Sequence, residues 1–155
     1  LATSTPIADH VAVDLEMRGC PIDPGQLLEL LTSLVVGRRP QLPDESVCLE
    51  CKRRGTVCVL VTGADTCLGP VTRTGCGAMC PAFARGCYGC FGPRERANAP
   101  SLARWFGRDG RSDADTAQLF SGFTAFAPRT PRSFSRMSRS ESAGNSSTAS
   151  RPAPW

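Results

Sequence analysis

Eight cysteines fall within 43 residues, spaced Cys48-x2-Cys51-x6-Cys58-x8-Cys67-x8-Cys76-x3-Cys80-x6-Cys87-x2-Cys90. Eight is two sets of four, and four thiolates are what a cubane 4Fe–4S cluster needs. The spacers are short and rich in glycine and proline, so the chain can wrap around an inorganic core. On this pattern the segment is a holder of two redox clusters and the chain an electron carrier. Three other chemistries compete. Disulfides staple small secreted domains, but nine cysteines leave one odd and no signal-peptide pattern opens the chain. Structural zinc could join Cys48-x2-Cys51 to Cys87-x2-Cys90 as a four-thiolate knuckle. That separation is longer than the usual ribbon, and the four interposed cysteines would then need a second ion. Free buried cysteines can also serve as small apolar residues, although the C-x2-C pairing argues against it. No side chain reads as a nucleophile or a general base. His10 is the only histidine, and it sits in a strand-like pattern where a structural or exposed role is the commoner one.

The elements that must position these thiols are few. Residues 10–16 alternate, with Val11, Val13 and Leu15 on one side and Asp14 and Glu16 on the other, which is a strand pattern. After a loop, Asp23 can cap a helix that has Pro24 at its first position and Gln26 three residues after the cap. Leu27, Leu28, Leu30, Leu31, Leu34 and Val35 give that helix an apolar face, and Gly37 is its stop. One strand–loop–helix unit is a fragment of an α/β layer, since its apolar faces need further elements to pack on. Residues 38–47 read as a proline-containing linker. The cysteine segment is expected to be mostly loops, with a short strand at 57–61. Two helices are expected near 99–107 and 113–126, the second capped by Ser112 and striped by Leu119, Phe120, Phe123 and Phe126. From Pro128 the chain is Ser, Arg, Pro and Thr, and the expectation is disorder.

Composition supports this division. Gly and Pro together number 28 in 155 residues and aromatics are sparse, so one uniform core is not expected. Cluster binding can organise the middle segment instead, because metal-site formation is coupled to folding. The net charge of +4 lies entirely in residues 128–155, where five arginines face one glutamate; the preceding 127 residues sum to zero. No basic face marks a nucleic-acid binder, and Lys52-Arg53-Arg54 reads as a solvated turn. No stretch approaches the roughly 20 apolar residues of a membrane span. The chain begins with Leu rather than Met, so its start need not be the natural one, and the isolated strand and helix favour a truncated chain.

Four motifs taken together resemble the small subunit of NiFe hydrogenases: R-G-C-P-I (18–22), C-L-E-C-K-R-R-G (48–55), C-L-G-P-V-T-R-T-G-C-G-A-M-C-P (67–81) and G-C-Y-G-C-F-G-P (86–93). The likeness runs over about residues 6–127 and is nearest to the cytoplasmic, soluble branch with its sulfhydrogenase-type and NAD(P)-linked enzymes. It implies a flavodoxin-like domain followed by a cluster domain, whose clusters carry electrons between a nickel–iron site in a separate large subunit and a redox partner. Residues 1–37 would be the end of the flavodoxin-like α/β domain and 48–127 a loop-rich iron–sulfur domain with short helices. By the resemblance, Cys48, Cys51, Cys58 and Cys67 match the ligands of a distal 4Fe–4S cluster. Cys76, Cys80, Cys87 and Cys90 match a medial 4Fe–4S cluster, and Cys20 the last ligand of a proximal one. The periplasmic members have histidine at the place of Cys48 and a three-cysteine, three-iron medial cluster. Here Cys80 supplies a fourth thiolate, whose charge should lower the potential and suit a low-potential acceptor such as a nicotinamide. The family's other proximal ligands lie upstream of the position of Cys20, and no cysteine precedes Cys20 here. The proximal cluster is therefore expected only with a missing N-terminal segment.

The function this implies is an electron-relay subunit without a catalytic centre of its own, in the cytoplasm. Its expected partners are the hydrogenase large subunit and flavin- or NAD(P)-binding and iron–sulfur subunits, with no nucleic acid and no membrane span. The alternatives are a stand-alone dicluster ferredoxin-like carrier, although the compact C-x2-C-x2-C-x3-C-P run is missing, and a zinc-stabilised interaction module.

Overall fold

The computed structural model describes Thr5 and residues 7–123. The proposed basic tail, residues 128–155, and Phe126 lie outside the described residues. Among the described residues, a 3-10 turn at Ile7–Asp9 is followed by the helices α1 (Pro24–Val36), α2 (Val47–Arg54), α3 (Met79–Ala82), α4 (Ala99–Arg108) and α5 (Asp113–Phe120).

Helix α1 forms as its end signals require. Asp23 accepts the N–H of Gln26 at 2.8 Å, Pro24 opens the first turn, and Gly37 closes it in the left-handed region at φ 73°. Its leucine face is not covered by the described residues: Leu28, Leu31, Leu34, Val35 and Val36 are exposed, and the buried positions are Gln26 and Ser33. The segment 10–16 does not form the expected strand. It forms no bridge with another described segment, its first two N–H groups donate back to Ile7 O, and Val11, Val13 and Leu15 are exposed. An alternating pattern makes a strand only where a neighbour satisfies the backbone N–H and C=O groups.

Residues 57–61 are also no strand. Thr62 N–H donates to Cys58 O and Ala64 N–H to Val59 O, so the run bends into a tight turn that ends at Gly63, φ 68°. Val59 points inward while Val57 and Val61 stay exposed. Conversely, helix α2 occupies what reads as loop. The signals for it are present: a basic last turn, Lys52-Arg53-Arg54, and Gly55 in the left-handed region at φ 67°. It begins at Val47, inside the expected linker. Helices α4 and α5 form where expected, capped by Asn98 and Ser112. Helix α5 stops at Phe120 rather than running to 126, with Ser121-Gly122 at its end.

Residues 71–74 are the hub of the fold. Ser46 bridges Arg73 and Thr72 bridges Pro93, both antiparallel. Val47 N–H donates to Thr72 O (3.1 Å) and Thr74 N–H to Glu45 O (2.9 Å) on one side; Arg73 N–H donates to Gly92 O and Arg94 N–H to Val71 O (each 2.9 Å) on the other. This strip ties α2, and with it Cys48 and Cys51, to the loop that carries Cys87 and Cys90. Two small cores flank it. One joins Val47, Val59, Cys67, Ala78 and Cys87; the other joins Leu68, Val71, Ala99, Leu102 and Phe106, with Phe120 packed on Phe106 at 6.3 Å between ring centroids. Leu60 packs against both.

Candidate metal centre

Helix α2 presents Cys48 and Cys51 three residues apart, hence on one face. Cys67 arrives from the loop after the 59–63 turn and is buried, Cys58 is exposed, and Cys48 and Cys51 are half-buried. These four lie within electrostatic reach of one another. Burial, then the charges of Cys67, Cys51 and Cys58, push the Cys48 thiol up to about 11, against the pull of Lys52. Burial likewise raises Cys67, opposed by the N–H groups of Cys87 (3.2 Å) and Gly69 (3.4 Å) that point at its sulfur, with Cys51 and Cys58 adding to the rise. Gly69 forms the floor of this site. A Cβ there would stand 3.2 Å from Cys67 Sγ and 3.5 Å from Cys48 Sγ, so a side chain would fill the space between the two sulfurs.

The second set is built from the loop 75–90. Cys76, Cys80 and Cys90 are half-buried and Cys87 is buried. Burial raises the Cys76 thiol; the N–H groups of Met79 and Ala78 oppose it, and the charges of Glu50 and Cys90 add to it. Cys87 is pushed up to about 12 by burial, with the Gly89 N–H and Thr72 opposing and Cys67 and Cys76 adding. Cys87 thus stands between the two sets. Cys90 is raised by burial, opposed first by the backbone N–H of Cys20, and raised further by Cys80 and Cys20.

That last contact places Cys20. It is exposed, and its loop lies on the loop after Cys90: a Cβ on Gly19 would meet the Phe91 ring at 3.1 Å. The Cys20–Pro21 peptide is cis. Cys20, assigned by resemblance to a separate cluster, therefore neighbours the second set. The structure brings the other eight cysteines together around the 71–74 strip, as two groups that meet at Cys67 and Cys87. Among the described residues no three His, Cys, Asp or Glu side chains converge tightly enough to hold a single metal ion.

The donor set fits iron–sulfur clusters. The ligands on offer are soft sulfurs, and backbone N–H groups point at the sulfurs of Cys67, Cys76, Cys87 and Cys90, as such clusters require to spread their negative charge. The raised thiols are neutral unless a cationic core holds them as thiolates.

Three polar residues shape the site, and only Gln26 had a spacing signature, that of a capping partner to Asp23 rather than of an anchor. Glu50, inside Cys48–Cys51, accepts the N–H groups of Gly75 and Ala78, each at 3.0 Å. Asp65 accepts the N–H of Gly86 at 2.8 Å, one residue before Cys87. Buried Gln26 donates from Nε2 to Thr74 O at 3.1 Å and so pins α1 to the hub. Only their position beside cysteines or on the inner face of α1 could have flagged them.

No family model matches the chain. It is 41% identical over 102 residues to the delta subunit of sulfhydrogenase 2 from Pyrococcus furiosus, covering 66% of this chain and 43% of that protein. It is 32% identical over 142 residues to the vhu G subunit of the F420-non-reducing hydrogenase from Methanocaldococcus jannaschii, covering 77% and 49%. The iron–sulfur G subunit of the F420-non-reducing hydrogenase from Archaeoglobus profundus is 28% identical over 116 residues, covering 57% and 36%. The homologues are thus subunits of hydrogenases, one of them named as an iron–sulfur subunit. The chain spans less than half the length of these relatives. No helix among the described residues is long and apolar enough to cross a membrane.

Proposed function

We propose that this chain is an electron-relay part of a NiFe hydrogenase, holding one 4Fe–4S cluster on Cys48, Cys51, Cys58 and Cys67 and a second on Cys76, Cys80, Cys87 and Cys90. The observation that supports this reading is the block of eight cysteines in which backbone N–H groups point at Cys67, Cys76, Cys87 and Cys90, in a chain whose relatives are hydrogenase subunits. Bound clusters would supply one-electron transfer at low potential. The chain's own residues do the rest. Gly69 leaves room between Cys67 and Cys48, the N–H groups of Gly69 and Cys87 hold Cys67, and Asp65 and Glu50 fix the loops before Cys87 and around Cys76. Burial of Cys67 and Cys87 keeps water from the middle of the assembly.

In this reading the nickel–iron site belongs to a separate large subunit, and no group of this chain reacts with hydrogen. Cys20 would complete a third cluster with cysteines supplied from outside the chain, and residues 1–37 would close a flavodoxin-like α/β layer. The complex would be cytoplasmic and pass electrons to flavin- or NAD(P)-binding and iron–sulfur subunits. Two cubanes require about eight irons and eight sulfides per chain after anaerobic purification. Brown colour, that stoichiometry and hydrogen-dependent dye reduction when assembled with a large subunit are the expected results. Stoichiometric zinc without labile sulfide would remove the cluster reading. Irons present without any binding to a large subunit would leave a ferredoxin-like carrier.

A further inference from the structure

The loop 75–78 that delivers Cys76 has an unfavourable backbone. Gly75 stands at φ 135°, Gly77 at φ 64° and Ala78, which has a Cβ, at φ 53°. A non-glycine in that region persists only where its surroundings hold it. The hold comes from helix α2. Glu50 Oε1 accepts the Gly75 N–H and Oε2 the Ala78 N–H, each at 3.0 Å, and Arg54 donates to Gly77 O. The helix that carries Cys48 and Cys51 of the first set thus grips the loop that carries Cys76 of the second. Glu50 Oε2 is also 3.8 Å from Cys76 Sγ. A negative charge at this distance in a half-buried site opposes addition of an electron to anything Cys76 ligates.

We infer that Glu50 is a positioning residue that locks the Cys76 loop onto α2 and, by its charge beside Cys76, lowers the reduction potential of the second set relative to the first. The inference rests on reading Cys76, Cys80, Cys87 and Cys90 as cluster ligands. The test is an electron paramagnetic resonance redox titration of the cluster-loaded chain and its Glu50→Gln variant. The signal of the second set is assigned beforehand by the three-iron form expected of Cys80→Ser. If the parent holds no iron and sulfide, the ligand reading fails and the inference falls with it. If the parent is loaded and Glu50→Gln keeps all its iron, the second-set potential should shift positive while the first-set potential stays. An unchanged second-set potential, or an equal shift in both, overturns the role of Glu50 and leaves the ligand reading intact. If Glu50→Gln instead loses iron from the second set, Glu50→Asp decides, because it returns the charge. Iron restored to the second set at a potential near the parent's supports the assignment, and iron still missing overturns it.

Discussion

At the scale of single residues, what matters is how much room and how many protons each sulfur has. Gly69 is required for space. Its absent Cβ would stand 3.2 Å from Cys67 Sγ and 3.5 Å from Cys48 Sγ, so Gly69→Val should push the two sulfurs apart. The expected outcome is loss of about half the iron, the first set's share of two four-iron clusters, with the second-set signal retained; iron analysis and paramagnetic resonance check it. The protons are governed by burial. Cys48 and Cys87 are raised from 9.0 to about 11 and about 12, burial being the first cause in each. Such thiols keep their protons in the folded, metal-free chain while the unfolded chain starts to release them near 9.0. Their contribution to folding is therefore fully present below 9.0 and is lost as pH rises through 11 to 12. Two measurements follow from this sign. The denaturation midpoint of the reduced metal-free chain should fall above about pH 9, and Cys48 and Cys87 should resist alkylation at about pH 8 while exposed Cys20 and Cys58 react. A midpoint that climbs with pH, or early alkylation of Cys87, would contradict the burial described here.

At the scale of elements, helix ends decide where cysteines and anchors fall. Helix α1 is started by Asp23 and Pro24, stopped by Gly37 and fastened to the hub by Gln26. Asp23→Ala removes the bond to the Gln26 N–H and should cost about 0.5–2 kcal/mol, read as a lower unfolding midpoint. Because Gln26 sits in that first turn, the same change should increase hydrogen exchange at α1 before it alters the cluster absorbance. The alternating run 10–16 and the valine-rich run 57–61 show the converse. Side-chain pattern alone made no strand there, since the only backbone bonds shown for one run among the described residues close the turn at Ile7 and the other is bent by the turn closing at Gly63. Helix α2 is the more instructive case. Its apolar content is low, so no apolar period marks it, and its clearest local signal is the Gly55 stop that ends it.

At the scale of the whole molecule, two small cores meet at Leu60, one lined with cysteine and the other with Leu102, Phe106 and Phe120. Phe106 is 1% exposed. Phe106→Ala should cost about 3–5 kcal/mol, seen in chemical unfolding, and should leave the iron content of the folded chain at its parent value, because no cysteine packs in that core. Loss of iron in this variant would mean that the two cores form one cooperative unit.

The cysteine register, the caps Asp23 and Ser112 and the stop Gly37 were all legible in the sequence. These are local matters, set by covalent spacing and by hydrogen bonds between residues three or four apart. They located α1 and α5 and gave eight cysteines, enough for two sets of four, while the assignment of each cysteine to a set came from the family resemblance. What tertiary structure alone decided is everything that depends on approach between distant segments. Cys20 lies beside Cys90, Cys87 stands between the two sets, and Glu50 reaches across to the Cys76 loop. The leucine face of α1 remains uncovered by the described residues while its polar Gln26 and Ser33 are buried. A sequence pattern states which residues prefer burial or ligation, but which of them meet is set by the backbone pairing of 45–47 and 92–94 with 71–74. No local period encodes that pairing.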